Sequence, residues 1–85
     1  MTRKEIRSTI NKAVYEYAES LGYQISDDND GSYVTFYKPE VSGKDAIDYS
    51  RSHFTTYVLN HASAEVKADA DLIDEFARQQ IRKYP

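Results

Sequence analysis

The sequence contains no cysteine and no tryptophan, and only one methionine, two prolines and three glycines among its 85 residues. Without cysteine there is no disulfide, and no thiolate for a zinc finger or an iron–sulfur centre. No apolar run approaches the roughly 20 residues a helix needs to span a bilayer. The amino-terminal Met1-Thr2-Arg3-Lys4-Glu5 lacks the apolar stretch of a secretory signal. These absences predict a cytoplasmic protein with no membrane association. Positive charge is also in the minority: eleven Lys or Arg against fourteen Asp or Glu leave a formal charge of −3.

What the chain does have is tyrosine, which supplies eight of its eleven aromatic residues. That aromatic content excludes a disordered chain. The length predicts a single domain over residues 1–85, burying about 60–65% of its unfolded surface. Stability then rests on one compact core, completed where necessary by a partner or a second copy.

Residues 2–21 predict a helix. Thr2 and Glu5 form a T-x-x-E capping box, and Ile6, Ile10, Val14, Tyr17 and Leu21 recur at helical spacing along one stripe. Gly22 stands where a left-handed residue ends a helix. Residues 63–84 predict a second helix, with Val66, Ala70, Ile73, Ala77 and Ile81 as its stripe and Leu72 and Phe76 widening it. Its acids gather in the first half and Arg78, Arg82 and Lys83 in the last turns, which complements the helix dipole.

Residues 23–38 predict a β-hairpin around the acidic run Asp27-Asp28-Asn29-Asp30-Gly31. A two-residue Asp30-Gly31 loop would pair Ile25 with Phe36 but set Tyr23 against Lys38 and Asp27 against Val34. A four-residue loop pairs Ile25 with Val34 and Tyr23 with Phe36, matching apolar residues, and is the expected register. Tyr33, Thr35 and Tyr37 then lie on the opposite face. Residues 42–61 carry two signals. Ser42 and Asp45 form a capping-box signature, and Ile47, Phe54, Val58 and Ala62 keep helical spacing. The run Phe54-Thr55-Thr56-Tyr57-Val58 has the composition of a strand. The helical reading is preferred. The expected fold is therefore α+β in the order helix, β-hairpin, helix, helix, with a helix, three- to four-stranded antiparallel sheet, helix order as the competitor.

Several chemistries can be tested against the residues. Setting Gly31 at the sixth position of an EF-hand loop puts Ser26 at the first and Tyr37 at the twelfth, where carboxylates are required. His53 and His61 lack the further ligands of a metal site. No nucleophile–base, Walker or H-E-x-x-H pattern occurs, so no catalytic, cofactor or metal residue is assigned and a non-enzymatic protein is expected. Arg3, Lys4, Arg7 and Lys12 cluster in the first helix, but Glu5, Glu16 and Glu19 share it. Contact with nucleic acid is the secondary reading. Tyr17 and Tyr23 belong to apolar stripes, whereas Tyr15 and Tyr49 fall off them.

The expected function is binding to a protein partner through the outward hairpin face, Tyr33, Thr35 and Tyr37, and the acidic turn, Asp27, Asp28 and Asp30. Tyrosine suits such a surface because it pairs a rigid apolar ring with one polar tip. The acids suit a basic surface, such as that of a nucleic-acid enzyme, in competition with phosphate. Size and composition fit a phage or mobile-element inhibitor of a host nuclease or defence system, of the anti-CRISPR or anti-restriction type. Assembly into a homo-oligomer through the tyrosine face is a further expectation.

Overall fold

The computed structural model describes residues 1–26, 32–39 and 46–84. Helix α1 (Arg3–Ser20) starts at the capping box read in the sequence. The Thr2 backbone N–H donates to Glu5 Oε1 at 2.9 Å, and the Glu5 N–H donates to Thr2 Oγ1 at 3.1 Å. The Thr2 N–H, and to a lesser degree the Thr2 hydroxyl, holds the Glu5 carboxyl below its ordinary pKa. The helix ends in a Schellman motif. Gly22 adopts φ +98°, its N–H donates to Glu19 O at 2.9 Å, and the Tyr23 N–H donates to Ala18 O at 3.2 Å. Helix α2 (Ala64–Arg82) is capped by Ser63, whose hydroxyl accepts from the Val66 N–H at 3.2 Å.

Four strands lie between the helices: β1 (Gln24–Ser26), β2 (Tyr33–Tyr37), β3 (Ile47–Ser50) and β4 (Thr55–Tyr57). They form an antiparallel sheet in chain order. The order is thus helix, four strands, helix, and the expected middle helix is corrected to two strands. The Ser42–Asp45 capping signature lies outside the described residues. The error has a physical origin. A spacing of four residues satisfies both a period of 3.6 and a period of 2, so Phe54, Val58 and Ala62 face the core on either reading. Tyr49 and Thr56 distinguish the two, and both are buried.

The hairpin register is corrected as well. Ile25 pairs with Phe36, and Gln24 with Tyr37; this is the pairing that follows from a two-residue connection. The expected register differs from it by two residues, which leaves every side chain on the same face, so apolar alternation could not separate them. Lys38 resolves the objection to the observed pairing. Its ammonium sits 4.8 Å from the centroid of the Tyr23 ring, 3.4 Å from Glu65 Oε1 and 4.0 Å from Asp69 Oδ2. The Tyr23 hydroxyl donates to the same Asp69 carboxylate at 2.7 Å.

Both helices cover one face of the sheet. Ile10, Val14 and Ala18 of α1 and Val66, Ala70, Ile73 and Ala77 of α2 close over Tyr23, Val34, Phe36, Ile47 and Tyr49. Tyr15 stands edge-on to Phe36 and Tyr49 at centroid distances of 6.1 and 6.0 Å, and Tyr17 stacks on Phe76 of α2 at 4.4 Å. Tyr49, off the expected stripe, is 0% exposed. Its hydroxyl donates to Asn11 Oδ1 at 2.7 Å, and the Asn11 amide donates to the Arg51 carbonyl at 3.2 Å. Among the described residues, no helix is long and apolar enough to cross a membrane.

Burial of Tyr49, reinforced by Tyr15 and Asp74, raises its phenol pKa far above the ordinary value of 10.0. Its folded pKa is raised, so the unfolded chain releases this proton first. The associated stability is complete below pH 10 and declines as the pH rises from there toward the folded value. The limiting slope is about 1.4 kcal/mol per pH unit. Urea unfolding between pH 9 and roughly pH 11.5 checks this: the decline above pH 10 should be steeper in the wild type than in Tyr49→Phe.

Candidate functional site

The face of the sheet turned away from the helices carries the residues that the sequence singled out. Strand alternation places Tyr33, Thr35 and Tyr37 there, with Ser26 and Gln24 of β1 opposite the last two. Register with β3 and β4 then brings Asp48 beside Thr35 and Tyr57 beside Asp48. Tyr33 is 40% exposed, Tyr57 is 50% exposed, and their ring centroids lie 6.1 Å apart at a 59° tilt. Tyr37 and Thr35 are half-buried. The Thr35 hydroxyl donates to Asp48 Oδ1 at 3.2 Å, which orients the carboxylate within the face. Asp27, Asp28 and Asp30, the other expected site residues, lie outside the described residues.

Two members of this face, Asp48 and Tyr57, do not follow from the helical reading of residues 42–61. The signal was nevertheless present: in Thr55-Thr56-Tyr57 a strand period turns Tyr57 outward with Thr55. A shallow depression of about 220 Å3, lined by Asp48, Tyr57 and Leu59, opens beside the pair. No lysine or arginine lies on the strands' outward positions, Gln24, Ser26, Tyr33, Thr35, Tyr37, Asp48, Ser50, Thr55 and Tyr57. The face is therefore aromatic and hydroxyl-rich, with a carboxylate near its centre.

His53 meets this surface at Ser50, the last residue of β3, and His61 lies off the strands. His53 lies in the β3–β4 turn, with Nδ1 3.2 Å from Ser50 Oγ and 3.1 Å from Ser52 Oγ. His61 is exposed before α2. Among the described residues, no three His, Cys, Asp or Glu side chains are grouped to hold a metal ion. The cations of α1 do gather, and the fold adds Arg51 to them: Lys4, Arg7, Lys12 and Arg51 line one groove. Arg3 lies instead on an apolar depression with Ile6, Phe54, Ile81 and Tyr84, which Arg7 also lines.

Compared with known protein families, with curated proteins and with solved structures, the chain has no match.

Proposed function

We propose that this chain is a non-enzymatic binding domain that docks its open sheet face on a cationic surface of another protein. The observation that carries this reading is the exposed Tyr33–Tyr57 pair on a sheet face where, among the described residues, Asp48 is the only charged strand residue. Arginine and lysine are the natural complement. Their charged heads stack on tyrosine rings, and the depression beside Asp48 offers Tyr57 and Leu59 to the aliphatic stem with a carboxylate for the head. Asp27, Asp28 and Asp30 belong by connectivity to the segment joining β1 to β2 and add acid to the same hairpin. A basic nucleic-acid enzyme is a partner of this chemistry, and the narrower proposal is a phage-type inhibitor of a host nuclease or defence enzyme, by occupation of its phosphate-binding surface.

The test compares the wild type with Tyr33→Ser/Tyr57→Ser in affinity capture from a bacterial lysate and in light scattering. A partner with a basic contact surface should be retained by the wild type and lost by the double variant. The affinity should fall by about 100-fold or more, since aromatic hot spots contribute about 2 kcal/mol or more each. Both positions are exposed, so the melting temperature should move by no more than a few degrees. Equal retention of the partner by the variant would refute the face as the docking surface. A wild-type dimer that the variant converts to a monomer would assign the face to a second copy of the chain instead.

A further inference from the structure

A second surface is built for charge of the opposite sign. Helix α1 and the β3–β4 turn bound a groove of about 630 Å3 lined by Lys4, Arg7, Lys12 and Arg51, with Ser8 and Ser52 between them. Among the described residues, every charged residue of the lining is a cation. Among the described residues, none of the four has a carboxylate within 4.0 Å; the ion pairs are made by Lys38 and Arg78. Within the described residues these four cations meet no carboxylate; they repel one another, and an anion that enters the groove relieves that repulsion.

The groove is also held in shape. The Asn11 amide, itself fixed by the buried Tyr49 hydroxyl, donates to the Arg51 carbonyl at 3.2 Å, and the Arg51 N–H donates to Ser32 O at 2.8 Å. The stem of Arg51 is thus anchored through its own backbone against α1. Lys4 and Lys12 are separated by about 12 Å along the helix axis, at 1.5 Å per residue. A row of that length exceeds one phosphate and suits several in succession. Arginine meets phosphate with a planar fork of donors, and serine hydroxyls add neutral donors.

We infer that this groove binds a run of adjacent phosphates. Two sources share that chemistry: the linked phosphates of a free nucleoside triphosphate and the backbone of a single-stranded nucleic acid. Calorimetry with ATP and anisotropy with a labelled oligothymidylate of about eight nucleotides, long enough to cover the row, separate them at low and at fourfold higher salt. At least one probe should bind at low salt. For the strand, four phosphate contacts give a log–log slope near −2.8, so the fourfold rise in salt should weaken binding about 50-fold. Arg7→Glu/Lys12→Glu, at two exposed helix positions, should weaken binding of the same probe at least about 10-fold with the helical signal unchanged. The control Lys67→Glu/Arg78→Glu makes the same change in net charge at exposed positions of α2 that line neither the groove nor the Arg3 depression, and should leave the affinity within about twofold. Binding of ATP alone would assign the groove to the free phosphate run, and binding of the strand alone to nucleic acid. No binding of either probe up to millimolar concentration would overturn the inference. So would an equal loss in the control, because attraction would then follow net charge and not this groove.

Discussion

Asn11→Leu should lower stability by about 2–4 kcal/mol, because it removes at once the partner of the buried Tyr49 hydroxyl and of the part-buried Arg51 carbonyl. The Tyr49 hydroxyl loses its acceptor at 2.7 Å, and the Arg51 carbonyl loses its donor at 3.2 Å. Leucine has the branching of asparagine and a larger volume, so no cavity opens and the loss comes from desolvated polar atoms with some overpacking. For a domain of this size the change corresponds to a fall of roughly 10–25 °C in melting temperature. Adding Tyr49→Phe makes this test specific. With the hydroxyl gone, one of the two orphaned groups disappears, so the double variant should be more stable than additivity predicts by about 1–2 kcal/mol. A strictly additive double variant would show that the two side chains do not act as a pair.

Asp74→Ala should cost about 2–3 kcal/mol, the range expected for hydrogen bonds to a charged acceptor. Asp74 Oδ1 accepts from the Thr56 N–H at 2.8 Å and from its hydroxyl at 2.9 Å. Thr56 is the middle residue of β4, an outer strand of the sheet. The carboxylate of α2 therefore satisfies a backbone donor that the sheet leaves unpaired, and fastens helix to edge. Without it the donor opens to solvent or to another strand edge. Asp74→Asn keeps an acceptor of similar reach and should lose only about half as much. Chemical denaturation of the three proteins measures this order, and an Asn variant as weak as the Ala variant would show that charge, not acceptance, holds the edge.

Local signals in the chain mark both helices. The Thr2–Glu5 box, Gly22 and Ser63 bound two helices because each satisfies backbone groups within four residues of itself. The outward placement of Tyr33, Thr35 and Tyr37 was legible for a similar reason: alternation within one strand fixes the face and needs no knowledge of the neighbour. The hairpin register was not legible, since the rival pairings differ by an even number of residues. The deciding interactions of Lys38 reach Glu65 and Asp69 on a helix about thirty residues away in the chain.

The segment 42–61 fails for the same kind of reason. Its apolar residues keep a spacing common to helix and strand, while β3 gains its stability by pairing with β2 through Val34–Tyr49 and Phe36–Ile47. Asp48 and Tyr57 reach the candidate face, and Arg51 reaches the cationic groove, only because that pairing forms.

The absence of cysteine already required a core held without disulfides or thiolate-bound metal. The amino-acid order by itself determined the two helices, their caps, the acidic balance and the tyrosines available for a surface. Tertiary structure decided which tyrosines those are. Tyr49 is consumed by the core with Asn11 as its partner, and Tyr57 is delivered beside Tyr33. It also divided the charge, leaving Asp48 on one surface and four cations in a groove elsewhere. Helices are specified by contacts a few residues apart, whereas a sheet joins residues whose separation the chain itself does not encode.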